Sequence, residues 1–418
     1  MITYKKVSLV LTIALFFLLG CSSNELIRGE RNKIVEQIPE TKVVKNVKLP
    51  PQVKSLGWGG TDDRSRSTSN FLLPQEINKI WEVNLGMDPA RVAPVILKHR
   101  IYYIGESGSL KCYDLKARKE IWSVPIIPLN EHGTKIMGGG LAHDNSQKLY
   151  VTTSIGEVAA IAAISGEVLW RYKFKSPFLS APTVFQDTII VTDASGVSRS
   201  LSADGRQNWT QQGSSGKQVS ATTGRPVLNN EILLLPSSGG TLLAVDKKTG
   251  VKKWNFKFDN QRKGYARSAL GVFDGDPVVY ETNIFYGSTS GHFVSLNIDG
   301  SINWRSPIGL RGSPVVISDS LFIISDLNVL TRIDKSDGAI IWSNPISEFK
   351  MTPHFYTPIL AGSKLWVTGA NKHLLSFDPR TGVLIDKIFL GARSSGPPIY
   401  YSQSILVYTE AGDLISFE

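Results

Sequence analysis

Cysteine is scarce: the 418 residues hold two, Cys21 and Cys112, set 91 positions apart. Two thiols cannot build a disulfide framework. The six histidines, His99, His132, His143, His292, His354 and His373, are scattered, with no pair at metal-ligand spacing. No His-Glu-x-x-His or Gly-x-Ser-x-Gly occurs. Gly216-Lys217 comes nearest to a phosphate loop, but Gln211 stands where the earlier glycine belongs and Gln218 where Ser or Thr should follow, so it reads as a surface turn. Positive charge is less concentrated than the net +10 suggests: Lys5 and Lys6 supply +2, residues 22–75 supply +3, and +5 is spread over the rest. Without a dense basic stripe or a recognisable binding motif, no nucleic-acid partner is expected. The apolar run Val7 to Leu19 has 13 residues, short of the about 20 that span a bilayer.

That run follows Lys5-Lys6 and precedes Leu18-Leu19-Gly20-Cys21, so residues 1–20 read as a signal peptide. The segment resembles a bacterial lipoprotein signal, which implies lipidation of Cys21 as the first mature residue. It departs from that pattern at Leu19, where a small residue is usual. The other reading, an ordinary secreted protein, leaves the Cys21 thiol without a role. More than one acyl chain gives a stable anchor, and Ser22 rather than Asp points to the outer membrane under the enteric sorting rule. Residues 21–75 are polar and charged, carry Pro39, Pro50, Pro51 and Pro74, and show no sustained period. They read as a tether whose flexible span is roughly 40 Å. Within it, Leu56-Gly57-Trp58-Gly59-Gly60 is apolar enough to dock on the folded domain or to meet a partner.

What the chain has in quantity is a repeat. Glycine is followed four residues later by tryptophan at Gly166/Trp170, Gly205/Trp209, Gly250/Trp254, Gly300/Trp304 and Gly338/Trp342. Trp122 continues the series with Arg118 in the glycine slot, Trp81 begins it, and Gly382 ends it with Asp386 in place of tryptophan. The intervals are 41, 48, 39, 45, 50, 38 and 44 residues, the spacing of stacked supersecondary units and above all of propeller blades.

Each unit repeats one grammar. A proline-led strand such as Pro226-Val227-Leu228 is followed by an apolar strand such as Ile232-Leu233-Leu234 and a glycine-rich turn. A third strand, Leu243-Ala244-Val245-Asp246, then ends in Asp-x-x-Thr-Gly before the tryptophan strand. The Asp suits a tight turn whose glycine takes positive φ, and the indole is expected to lie against the neighbouring blade. Cys112 falls in the slot of Ala244, Ser200, Ser295, Ser376 and Ser416, a small residue facing a crowded neighbour, so a buried structural thiol is expected. Seven units run to a fourth strand; the eighth stops at Phe417-Glu418, and Lys79-Ile80-Trp81-Glu82-Val83 is a fourth strand without a blade. Joining them closes an all-β, eight-bladed propeller of four-stranded antiparallel blades over residues 76–418.

Ala244 to Trp254 matches the Ala-x-Asp-x-x-Thr-Gly-x-x-x-Trp pattern of quinoprotein-like (PQQ-type) propeller repeats. With the signal, the single domain and the length, the chain resembles the BamB family of outer-membrane β-barrel assembly lipoproteins. That resemblance implies a periplasmic scaffold, not an enzyme and without cofactor or metal. It would bind the POTRA domains of BamA and assist outer-membrane proteins, whose unfolded forms are candidate partners. Independently, the connection of 22 residues between Trp254 and Pro277 is long and carries Arg262, Lys263, Tyr265 and Arg267, suiting a docking loop. The resemblance adds Asp274 and Asp276, which match the family's Asp-x-Asp contact with BamA; the other reading is that they cap a turn. The family's Leu-x-Leu-Arg segment is not met, since the aligned residues read Gln218-Val219-Ser220-Ala221 and Arg225 lies too near Pro226. Two rival classes stay open: a quinone-cofactor dehydrogenase, and a binding module for another envelope partner.

Overall fold

Runs of β-branched and aromatic residues pair into eight four-stranded antiparallel sheets, arranged as a β-propeller. The computed structural model describes residues 73–86, 92–105, 108–127, 138–144, 146–213, 224–228, 232–237, 240–258, 275–289, 292–346 and 354–418. Cys21, the tether with Trp58, and Arg262, Lys263, Tyr265, Arg267 and Asp274 lie outside them. All eight sheets belong to the unit Glu40–Glu418. Among the described residues there is no helix.

Blade 4 illustrates the plan. Its strands Val227–Leu228, Ile232–Pro236, Thr241–Asp246 and Lys252–Lys257 pair in chain order, Leu234 opposite Ala244 and Ala244 opposite Trp254. Ile232 to Pro236 are buried without alternation, because both faces of an inner strand meet a neighbouring blade. The fourth strand alternates, as expected at a splayed rim. The apolar core is accordingly not inside any blade. Eight hydrophobic clusters form, each bridging one joint, as Val227, Leu234 and Ala244 of blade 4 meet Val279, Tyr286 and Leu296 of blade 5.

The turn before each fourth strand forms as its residues dictate. The Asp246 carboxylate accepts the N–H groups of Lys248 and Thr249, at 3.0 and 2.9 Å, and the Thr249 hydroxyl. Those donors hold its carboxyl below the usual range, the Thr249 bonds foremost. Gly250 follows with φ 73°, a conformation that costs any residue with a Cβ about 1–2 kcal/mol.

The glycine has a second duty. A Cβ at Gly250 would stand 2.7 Å from the ring of Trp209 in the preceding blade. The same holds at Gly166 on Trp122, Gly205 on Trp170, Gly300 on Trp254, Gly338 on Trp304 and Gly382 on Trp342, at 2.6–3.0 Å. Each of these indoles also donates its N–H to a backbone carbonyl of the same turn, from Trp254 to Ile298 and from Trp170 to Ala203, both at 2.9 Å. Trp122, Trp209, Trp304 and Trp342 bond likewise to Ala163, Lys247, Lys335 and Pro379. One ring thus packs under the next blade and satisfies its own polar atom there.

Both exceptions in the repeat have a structural cause. Arg118, in the glycine slot of blade 1, takes φ 51° and lays its guanidinium over Trp81, 5.6 Å from the ring centre. Asp386 replaces tryptophan at the joint between blades 7 and 8. Blade 8 is built from Ile399–Tyr401, Ser404–Tyr408, Asp413–Phe417 and Lys79–Asn84, the last from the other end of the chain. It therefore has no third-to-fourth turn for an indole to lie under. Asp386 instead accepts Ser376 Oγ at 2.5 Å and Lys364 Nζ at 2.8 Å. The expected closure is present, with Trp81 opposite Ser416 and Asn78 exchanging backbone bonds of 2.9 and 3.1 Å with Glu418.

The small-residue slot holds in seven blades and fails in the sixth. Cys112, Ala160, Ser200, Ala244, Ser295, Ser376 and Ser416 each face the fourth strand of their blade. Blade 6 places Arg332 there, opposite Trp342 and 0% exposed. Its Nε donates to Ser320 Oγ at 2.9 Å, and Asp319 lies 3.8 Å from its guanidinium. Burial lowers its pKa, while Asp319 and Asp334 oppose that shift.

Three stability outcomes follow from these joints. Deleting residues 78–84 is expected to lower the melting temperature sharply, and an unchanged melting curve would speak against the closure. Gly250→Ala is expected to cost about 1–3 kcal/mol in urea unfolding. Arg118→Gly should be nearly neutral, since it trades an about 0.5–1 kcal/mol ring contact for relief of positive φ.

Candidate functional site

The candidate site is the approach to the first strands of blades 4 to 7. Each strand carries a residue followed by proline, ahead of it in Arg225-Pro226, Asp276-Pro277 and Thr357-Pro358 and within the long strand Leu310–Ile317 in Ser313-Pro314. Proline holds the residue before it in extended backbone, which leaves its N–H pointing sideways, toward the next blade. The N–H of Arg225 donates to Asp276 Oδ1 at 2.8 Å, that of Asp276 to Ser313 Oγ at 2.8 Å, and that of Ser313 to Thr357 Oγ1 at 3.3 Å. The result is a relay of blade-to-blade bonds.

Asp276 is its charged member. Besides the backbone N–H, its carboxylate takes Nε of Arg225 at 2.9 Å and Nη2 at 2.9 Å, with the side chains 12% and 22% exposed. Asp276 therefore faces blade 4 in a mostly buried, charge-assisted pair, its Oδ2 held by two guanidinium nitrogens and its Oδ1 by the Arg225 N–H.

Glycines set the backbone spacing behind the relay. A Cβ at Gly224 would stand 2.4 Å from the Gly275 carbonyl, and one at Gly275 only 1.8 Å from the Gly312 carbonyl. The middle residue of Asp274-Gly275-Asp276 is thus glycine because the next blade's backbone occupies the place of a side chain. Gly312, at φ 68°, lies in an irregularity of the long strand Leu310–Ile317. Beside it Arg311 donates to Nδ1 of His354, tying blade 6 to the entry of blade 7.

Of the residues expected at this site, Asp276 is placed, while Arg262, Lys263, Tyr265, Arg267 and Asp274 lie outside the described residues. Sequence reasoning passed over Ser313, Thr357 and the pairing role of Arg225. The signal available was their common position before a strand-opening proline. Away from the site, Cys112 is fully buried and desolvation pushes its thiol up to about 11, so it stays a thiol at neutral pH. Among the described residues no three His, Cys, Asp or Glu side chains are grouped to hold a metal ion. The relay's groups are engaged with one another, and the chemistry they offer is rigidity.

Comparison with known proteins places this architecture. The chain is 24% identical over 340 residues to an outer membrane protein assembly factor BamB of Shewanella oneidensis, covering 78% of this chain and 84% of that one. The counterpart of Yersinia pestis is 20% identical over 352 residues, covering 81% and 88%. Among solved structures, BamB from Moraxella catarrhalis superposes with a TM-score of 0.71 at 17% identity, over 82% of this chain and 100% of that one. A quinohemoprotein alcohol dehydrogenase from Comamonas testosteroni does so at 0.66 and 13% identity, over 84% and 78%. These structural likenesses are of fold. The family model described as outer membrane protein assembly factor BamB matches residues 92–344, blade 1 through the fourth strand of blade 6, and the chain belongs to that family.

Proposed function

We propose that this chain is a non-enzymatic scaffold lipoprotein of the outer-membrane β-barrel assembly machinery. Acylated at Cys21 and held at the periplasmic face of the outer membrane, it binds the POTRA domains of BamA and assists insertion of outer-membrane proteins. The observation carrying this reading is the family match over residues 92–344, which includes the Arg225–Asp276 joint and the connection after Trp254. A rigid joint at the base of a long connection suits docking, because less freedom is lost when a partner binds. Arg262, Lys263, Tyr265 and Arg267 are the contact residues in this reading, together with Asp274. Asp276 serves by holding the base of the connection. Likeness to a quinohemoprotein alcohol dehydrogenase at 13% identity brings no reaction with it.

Affinity purification of the tagged lipoprotein from detergent-solubilised envelopes tests the proposal: BamA is expected in the eluate, and a BamA-free eluate defeats it. Arg262→Glu combined with Lys263→Glu and Tyr265→Ala should lower BamA recovery about tenfold or more with an unchanged melting curve. Asp276→Asn should cost about 1.5–3 kcal/mol in urea unfolding, the range for a hydrogen bond to a charged group. Loss of BamA at unchanged stability in that variant would show instead that the carboxylate is read by the partner.

A further inference from the structure

The outer edge of blade 7 differs from the other rims. Its fourth strand, Leu384–Phe389, exposes Leu384 at 45%, Ile385 at 48% and Phe389 at 65%, and Val383 leads into it at 59%. The corresponding strand of blade 3, Gln207–Gln212, exposes Gln, Asn and Thr; that of blade 4, Lys252–Lys257, exposes Lys and Asn. Blade 2 also shows Val168, Leu169 and Tyr172 at its rim, but without the two features described next.

Charge on blade 7 is one-sided. Between residues 354 and 396 the carboxylates are Asp378 and Asp386. Arg380 holds the first at 2.9 Å and Lys364 the second at 2.8 Å. Lys372 and Lys387 are exposed on the blade, and Arg393 is exposed in the connection to blade 8, where its carbonyl accepts the Glu410 N–H at 2.8 Å; among the described residues none of the three cations has an ion-pair partner. Lys387 stands between Ile385 and Phe389 on the strand, and Lys372 precedes His373, whose ring packs on Phe389 at 5.5 Å.

The N-terminal chain also arrives here. The Leu73 Cβ lies 2.8 Å from where a Cβ on Gly362 would stand, and Lys364 Nζ donates to the Gln75 carbonyl at 2.6 Å. Leu73 and Ile77 pack on the cluster containing Ile359 and Trp366. The segment that leads back to Cys21 therefore joins the ring on the same blade that carries the apolar, cationic edge.

We propose that the edge of blade 7 lies against an anionic lipid bilayer, with Leu384, Ile385 and Phe389 entering the headgroup region and Lys372, Lys387 and Arg393 over lipid phosphates. An apolar strip flanked by cations is the composition that binds such an interface, burying hydrocarbon while the charges stay at phosphate depth. The strand is about 20 Å long, enough to lie along the surface as a line of contact. Charge decides between occupants: a second copy would bring Lys372, Lys387 and Arg393 toward their own counterparts, whereas a lipid surface supplies the missing anions. The contact adds a fixed orientation to the tethering proposed above and needs no acyl chain to form.

The test uses the full lipoprotein with Phe389→Cys carrying an environment-sensitive fluorophore, and Thr210→Cys on the exposed strand of blade 3 as control. Cys112 is buried and stays unlabelled. In vesicles of phosphatidylethanolamine and phosphatidylglycerol, the label at 389 should shift to the blue and be quenched by a lipid-borne quencher at least several-fold more than the label at 210. Lys372→Glu, Lys387→Glu and Arg393→Glu together should abolish that difference while leaving the melting curve unchanged, and phosphatidylcholine vesicles should weaken it. Equal quenching at both positions overturns the proposal, as does indifference to the charge reversals. A blue shift at 389 in detergent, without vesicles and dependent on protein concentration, assigns the edge to a second copy and also overturns it. Flotation reports the Cys21 anchor separately; a chain that does not float is added to the same vesicles and read by the same labels.

Discussion

An indole laid beneath the turn glycine of the following blade is the contact on which the ring depends. A four-stranded blade has two apolar faces and no means of burying either alone. The glycine permits the turn, and the space it leaves admits the ring. The N–H of that ring then bonds the turn's own carbonyl, as Trp254 does with Ile298. Three requirements meet at one point, so the spacing of glycine and tryptophan is tightly set while the length of the connections between blades is free to vary.

The relay near the first strands is a second set of joints, at smaller radius. There the links are polar, running from Arg225 through Asp276 and Ser313 to Thr357, and the backbones approach so closely that Gly224 and Gly275 admit no side chain. Outer joints are apolar and inner ones hydrogen-bonded, so blades 4 to 7 are held at both ends of their width. Connections that start from such a frame are long but have fixed bases, which is how a loop on a rigid scaffold becomes selective.

The fold was legible because its constraints are local. Positive φ, a tight Asp turn and an indole four residues on are all visible within eleven residues such as 244–254, and repetition supplied the blade count. Even the replacement of tryptophan by Asp386 was legible as an exception, although its cause lay in the chain's other end. Arg332 was not legible, because its place opposite Trp342 is balanced by Asp319 in the turn between the blade's first two strands. At the site, Asp276 was found by its motif, but its direction was not. Its partner Arg225 stands 51 residues away, and only the closing of the ring brings the two together. Function is less local still: the repeat is shared by assembly factors and dehydrogenases, and family membership rather than any single residue separates them.

The absent indole marks the seam of the ring. Every blade but the eighth joins its third and fourth strands by a turn, and the blade before the eighth is the one without the tryptophan. A circularly permuted chain with Phe417 joined to the strand at Lys79 would therefore acquire a turn with nothing packed beneath it. Opening the ring at another blade would leave an existing indole facing a cut. Asp386 thus marks the joint next to the blade that is assembled from two distant parts of the chain.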